Sequence, residues 1–135
     1  MLDSFYVILN CEVKDLKGTL SNHFNTPLVL KGKWEVALVH VIYDVGWKLL
    51  FTCDAVEYSY LDEKKIQFLS FYIPDEGGFY KNMYPLQYVS VNKKEIKDIN
   101  IEIMKYPELS YFTSKEYYQK TNLKDLTCVL HFRKA

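Results

Sequence analysis

Arginine is nearly missing from this chain. Arg133 is the only one among 17 basic residues in a sequence of 135. Its planar fork is the usual side chain for bidentate contacts to phosphate or base edges, so its scarcity argues against nucleic-acid readout. Net charge is missing as well. Seventeen basic and 17 acidic residues cancel to +0, which leaves no basic field to gather nucleic acid or an anionic membrane. No apolar run approaches the ~20 residues that a membrane-spanning helix needs. The opening MLDSFYVILNCEV places Asp3 where a secretory leader carries Lys or Arg. The expectations are no membrane insertion and no secretion by a signal peptide.

Cysteine is sparse. Cys11, Cys53 and Cys128 are odd in number, far apart and without a CxxC pair. Such thiols read as small buried hydrophobes rather than as a disulfide framework. With no Asn-X-Ser/Thr acceptor present, the chain reads as made and kept in a reducing compartment.

Signatures of chemistry are absent too. His23, His40 and His131 have no neighbour at a metal-ligand spacing. No GxSxG or glycine-rich phosphate loop occurs. Asp75 and Glu76 adjoin in a turn, where neighbouring side chains diverge. The sequence therefore predicts no catalytic residue, no metal and no cofactor, and the protein is not expected to be an enzyme.

Aromatic residues are what the chain has in excess: 12 Tyr, 8 Phe and 2 Trp. They favour β-structure, and they are too many for one small core, so some must lie at a contact surface. The dominant period is two. Ile99, Ile101 and Ile103 alternate with Asp98, Asn100 and Glu102, a half-buried strand with a wet outer face. The closing LTCVLHFR buries Leu126, Cys128, Leu130 and Phe132 and turns Thr127, His131 and Arg133 outward, with His131 expected in solvent. Phe5–Leu9 is a short apolar run, and Leu86–Val91 reads as a further strand. Lys31-Gly32-Lys33 reads as a tight hairpin between Leu28–Leu30 and Trp34 onward. Asp62-Glu63-Lys64 reads as a charged turn joining Ala55–Leu61 to Lys65–Ile73, and Pro74–Gly78 is the strongest breaker. A short helix is expected near Ser114–Lys120. Together these predict one all-β domain over residues 1–135, an antiparallel sandwich of about eight strands with little helix. Eight strands in this length suit a jelly-roll-like arrangement.

One strand departs from the alternating pattern. In KGKWEVALVHVIY, Trp34, Val36, Leu38, His40 and Ile42 share one face, while Glu35, Ala37, Val39, Val41 and Tyr43 share the other. Both faces are apolar, so both need cover. Trp34, Val36, Leu38 and Ile42 are expected in the core, with His40 as a satisfied core or interface histidine. Val39, Val41 and Tyr43 are expected under a loop, such as residues 105–124, or under a neighbouring subunit. Phe79, Tyr80 and Tyr84, in the FYKNMY loop, complete the expected interface.

The order FYVIL, GTLSNHFNTPLVL, KGKWEVALVHVIY, YVSVNKKEIKDINIEI, LTCVLHFRK resembles a family of jelly-roll-like virion structural proteins. These are encoded by Maverick/Polinton elements and adintovirus-like DNA viruses. The resemblance is carried by Leu28, Leu30, Gly32, Trp34, Glu35, Val36, Ala37 and Leu38, by Ile99, Ile101 and Ile103, and by Leu130, His131, Phe132 and Arg133. Residues 47–85 and 105–124 take no part in it. It implies a viral or virus-derived structural protein: a minor capsid, penton-vertex or surface component that is made in the host cytoplasm or nucleus and carried in the virion. The implied partners are other copies of itself, as a pentamer or trimer, and other capsid proteins. The residues alone leave open a second class, a sandwich module that attaches to a protein or glycan.

Overall fold

The computed structural model describes residues 3–12, 19–42, 48–72, 80–82, 86–106, 110–111 and 125–135. In chain order the strands are β1 (Ser4–Glu12), β2 (Thr19–Val29), β3 (Trp34–Ile42), β4 (Leu49–Cys53), β5 (Ser59–Leu61) and β6 (Lys64–Ile66). They continue with β7 (Phe68–Tyr72), β8 (Tyr80–Asn82), β9 (Val89–Ser90), β10 (Glu95–Lys105), β11 (Ser110–Tyr111) and β12 (Asp125–Lys134). The protein is all-β, as the period of two predicts, and its described strands pair antiparallel. The strands number twelve among the described residues because five of them, β5, β6, β8, β9 and β11, are only two or three residues long. The segment expected to be helical near Ser114–Lys120 lies outside the described residues.

Two sheets form the sandwich. The first runs β1-β12-β3-β8, with β9 also on β3; the second runs β11-β10-β4-β7, with β2 also on β10. Their inner faces supply one core. Val7, Leu9, Trp34, Val36, Leu38, Leu130 and Phe132 come from the first sheet, and Leu49, Phe51, Cys53, Ile99, Ile101 and Ile103 from the second; all are buried. Phe5 stacks on Phe132 at 5.0 Å between ring centres and meets Trp34 at 5.5 Å, closing one end of the core. The alternation in β10, and in β12 at Cys128, Leu130 and Phe132, therefore reports burial correctly, while the Leu126 side chain lies outside the described residues. Two of the three cysteines are buried as expected: Cys53 and Cys128 are reduced thiols in the core, and burial pushes the Cys53 thiol up to about 12, while the Cys11 side chain lies outside the described residues.

Two turns have different outcomes. Asp62 and Glu63 both take left-handed φ, 47° and 71°, and join β5 to β6 in a two-residue hairpin. That conformation matches the twist of the flanking strands. Gly32 also has a positive φ, 85°, but it does not close a hairpin. β2 pairs with β10 in one sheet and β3 with β12 in the other, so Gly32 turns the chain from sheet to sheet. The expected Lys31–Lys33 hairpin is thus corrected to a crossover.

Two of the longer strands went wholly or largely unread in the sequence. β2 is polar because its outer side chains are satisfied across the ladder: the Ser21 hydroxyl donates to Asn100 at 2.7 Å, and His23 meets Asp98 at 2.6 Å. It is also an edge strand, where Pro27 is tolerated. β4 is apolar on both faces, with Leu49, Leu50 and Phe51 all fully buried, so it shows no alternation. Leu50 faces away from the main core, between Met104 and Phe71 in register. Phe71 lies 4.9 Å from both Phe68 and Tyr106, forming an aromatic patch on that outer surface.

Candidate protein-contact surface

The outer face of the first sheet is built by β1, β12 and β3. Their registers set out three rows: Ser4, Arg133 and Glu35; Tyr6, His131 and Ala37; Ile8, Val129 and His40. The first row is an ion pair, Arg133 Nε to Glu35 Oε1 at 2.6 Å. In the second, the Tyr6 ring stacks on the His131 ring at 4.6 Å. Tyr88, just ahead of β9, brings its hydroxyl to 2.8 Å from His131 Nδ1. The Arg133 guanidinium sits 3.5 Å from the centre of the Tyr88 ring, a cation–π contact. Ala37 is fully buried on this row. The chain's one arginine thus joins a carboxylate to an aromatic group on a sheet face.

His131 is therefore not a solvated histidine, as its outward position in the strand had predicted. Partial burial, and then the charge of Arg133, hold its pKa below the ordinary value. In the tautomer with its proton on Nε2, the neutral ring can accept the Tyr88 hydroxyl at Nδ1.

Beyond this polar corner the face is mostly apolar and partly exposed. Tyr6 is 64% exposed and Ile8 59% exposed. Val129 and Val39 beside them are half-buried. Isolated surface hydrophobes mean little, but contiguous ones rimmed by charge mark contact sites. Here Tyr6, Ile8 and Val129 adjoin in register, and Glu35 and Arg133 stand at the rim.

Only part of the expected interface falls here. The β3–β12 ladder slips between Val129 and Leu130, so that Leu130 faces Leu38 but Val129 faces His40. The extra residue is Val39, a β-bulge that reverses the inward and outward phase of the rest of the strand. Val41 consequently pairs with Cys128 and is fully buried in the core, which corrects its assignment to the interface. His40, expected beside Trp34 and Leu38, is on the other face for the same reason. Trp34, Val36 and Leu38 are buried as expected; the Ile42 side chain lies outside the description. Val39 remains at the surface rows. Tyr43, Phe79 and Tyr84 lie outside the described residues, and Tyr80 contributes backbone pairing opposite Ile42. Tyr6, Ile8, Tyr88 and Val129 were missed as candidates. The signal was available, because FYVIL is apolar on both faces, the same anomaly as in β3.

The opposite outer face is of a different kind. Asp54 accepts the Asn100 backbone N–H at 3.0 Å and the Asn100 amide at 2.8 Å, with Lys93 at 3.7 Å. The Gln67 amide donates to the Asp54 and Val56 carbonyls. Thr52, Tyr58, Lys65 and Glu102 join these groups around a groove of about 260 Å³. Its central groups are bonded to one another. Ser21, His23 and Asp98 are neighbours here, yet the Ser21 hydroxyl donates to Asn100 and so does not form a Ser–His–Asp relay. Among the described residues no group of three His, Cys, Asp or Glu side chains is placed to hold a metal. No helix among them is long and apolar enough to cross a membrane.

No protein-family model and no curated protein matches the chain.

Proposed function

We propose that this protein is a non-enzymatic structural subunit that self-associates, and binds other structural proteins, through the outer face of the β1–β12–β3 sheet. The observation that carries the reading is the contiguous apolar patch of exposed Tyr6 and Ile8 beside half-buried Val129, bounded by the Arg133–Glu35 pair. An aromatic-and-aliphatic centre with a charged rim is the anatomy of a protein interface. A chain of net charge +0 also carries no field to keep its copies apart. The setting we propose, a viral or virus-derived particle with this jelly-roll-like chain as a minor capsid, penton-vertex or surface component, rests on the resemblance of its sequence segments. Cyclic closure as a pentamer or trimer belongs to the same proposal.

Sedimentation velocity across a concentration series tests the contact role. The expected result is reversible association that Val129→Glu weakens while its unfolding curve stays near that of the parent chain. Strict monomers at every concentration, or association indifferent to Val129→Glu, would overturn it.

A further inference from the structure

The patch ends at β1, the edge strand of the first sheet among the described residues. Among the described residues β1 pairs with β12 on one side and with no strand on the other. An edge presents a row of backbone donors and acceptors that another strand can complete, and proteins usually blunt it with lysine, proline, a bulge or brevity. The other edges of this sandwich have such devices. β2 carries Pro27 and a register shift against β10. β7 is five residues long with a shift against β4, and β8, β9 and β11 are two or three residues long. β1 has none of them. Its nine residues, SFYVILNCE, contain no lysine, proline or glycine, and its ladder to β12 runs from Ser4 to Glu12 without a slip.

We propose that β1 pairs antiparallel with β1 of a second copy, extending the sheet across a two-fold axis at Val7. This rests on the self-association reading above and adds to it an edge contact between copies, separate from the cyclic contact of the pentamer or trimer. The occupant must be a strand, because backbone groups are what the edge offers. A second copy fits because the strand is self-complementary. With the axis at Val7, Tyr6 faces Ile8 of the other copy twice, an aromatic–aliphatic pair of the kind that stabilises sheets. Phe5 then faces Leu9 on the core side, and Ser4 faces Asn10. No like charges oppose each other, since Glu12, which leads into the crossover to the other sheet, lies beyond the paired stretch. A closed two-fold pair also uses up both edges, so that the association stops at two along this direction. The outer faces of the two copies then form one continuous surface.

The test uses the full chain with Cys11→Ser, carrying either Tyr6→Cys or Ile8→Cys. Directly opposed residues have Cα atoms about 4.5–5.5 Å apart, within disulfide reach, whereas diagonal ones at about 7–8 Å are too far. Mild oxidation of the two variants mixed together should give the mixed disulfide, and either variant alone should give little. Ile8→Lys, at an exposed site that should not disturb folding, should remove the dimer in sedimentation velocity. A homotypic disulfide from Ile8→Cys alone would overturn the stated axis. Association that survives Ile8→Lys but is lost in Val129→Glu would overturn edge pairing and leave the contact face standing. A chain that is monomeric alone, yet loses a separate partner on Ile8→Lys, gives the edge to that partner's strand and overturns self-pairing. Monomers with no such partner would overturn both readings.

Discussion

Replacing Val41 by alanine should destabilise the protein much more than replacing Val39, although the sequence places both on one face. Val41 is fully buried, pairs with Cys128 and belongs to the core cluster. The substitution removes two carbons, about 0.8 kcal/mol each by transfer, and the residual cavity raises the total to about 2–3 kcal/mol. Val39 occupies the bulge and is only half-buried, so its truncation should cost about 1 kcal/mol or less. Urea unfolding followed by tryptophan fluorescence is a suitable assay, since Trp34 is 4% exposed in the core. With a slope near ~2 kcal/mol per molar urea, Val41→Ala should lower the midpoint by about 1 M and Val39→Ala by less than half of that. Equal losses, or a larger loss for Val39, would mean that the strand keeps one phase throughout. Val41 would then return to the outer surface, and the bulge that defines the contact face would be wrong.

Three further outcomes follow from single residues. Because the pKa of His131 is lowered in the folded state, the unfolded chain binds more protons between the two values. Stability should therefore fall as pH drops through the unfolded value near ~6.5 toward the lowered native one, and His131→Gln should flatten that part of a stability–pH profile. Gly32→Ala should cost about 1 kcal/mol from the left-handed φ of 85° alone, since no atom lies within 4 Å of the added carbon; a neutral result in denaturant titration would contradict that. Cys53, buried with its thiol pushed up to about 12, should resist iodoacetamide at pH 8 until the chain unfolds, as peptide mapping would show.

The legible parts of this fold were those where burial and alternation coincide. β10 could be read because Ile99, Ile101 and Ile103 meet the core while Asp98, Asn100 and Glu102 meet solvent. β12 could be read for the same reason, and the Asp62–Glu63 turn through its charge. β3 was recognised as anomalous, but its bulge was not visible. One inserted residue changes the face of everything after it and leaves no compositional mark. Hence Val41 was assigned to the interface when it belongs to the core. β2 was hidden because its polar side chains are satisfied by partners 75 and 79 positions away, Asp98 and Asn100, which no local window contains. β4 was hidden by the opposite property, being apolar on both faces. The proposed contact surface was half legible. Excess aromatics gave the expectation of one, but only the ladder of β1 on β12 brings Tyr6 and Ile8 beside His131 and Val129. The Tyr88 hydroxyl reaches His131 from 43 positions away, a link that no spacing rule anticipates.

Hydrogen exchange measured on dilute and on concentrated protein tests the central claim most directly. If the β1–β12–β3 face and the β1 edge are where copies meet, concentration should slow exchange in peptides covering Ser4–Asn10 and leave β4 and β10 unchanged. Protection that appears on β4 and β10 instead, or nowhere at any concentration, would contradict it.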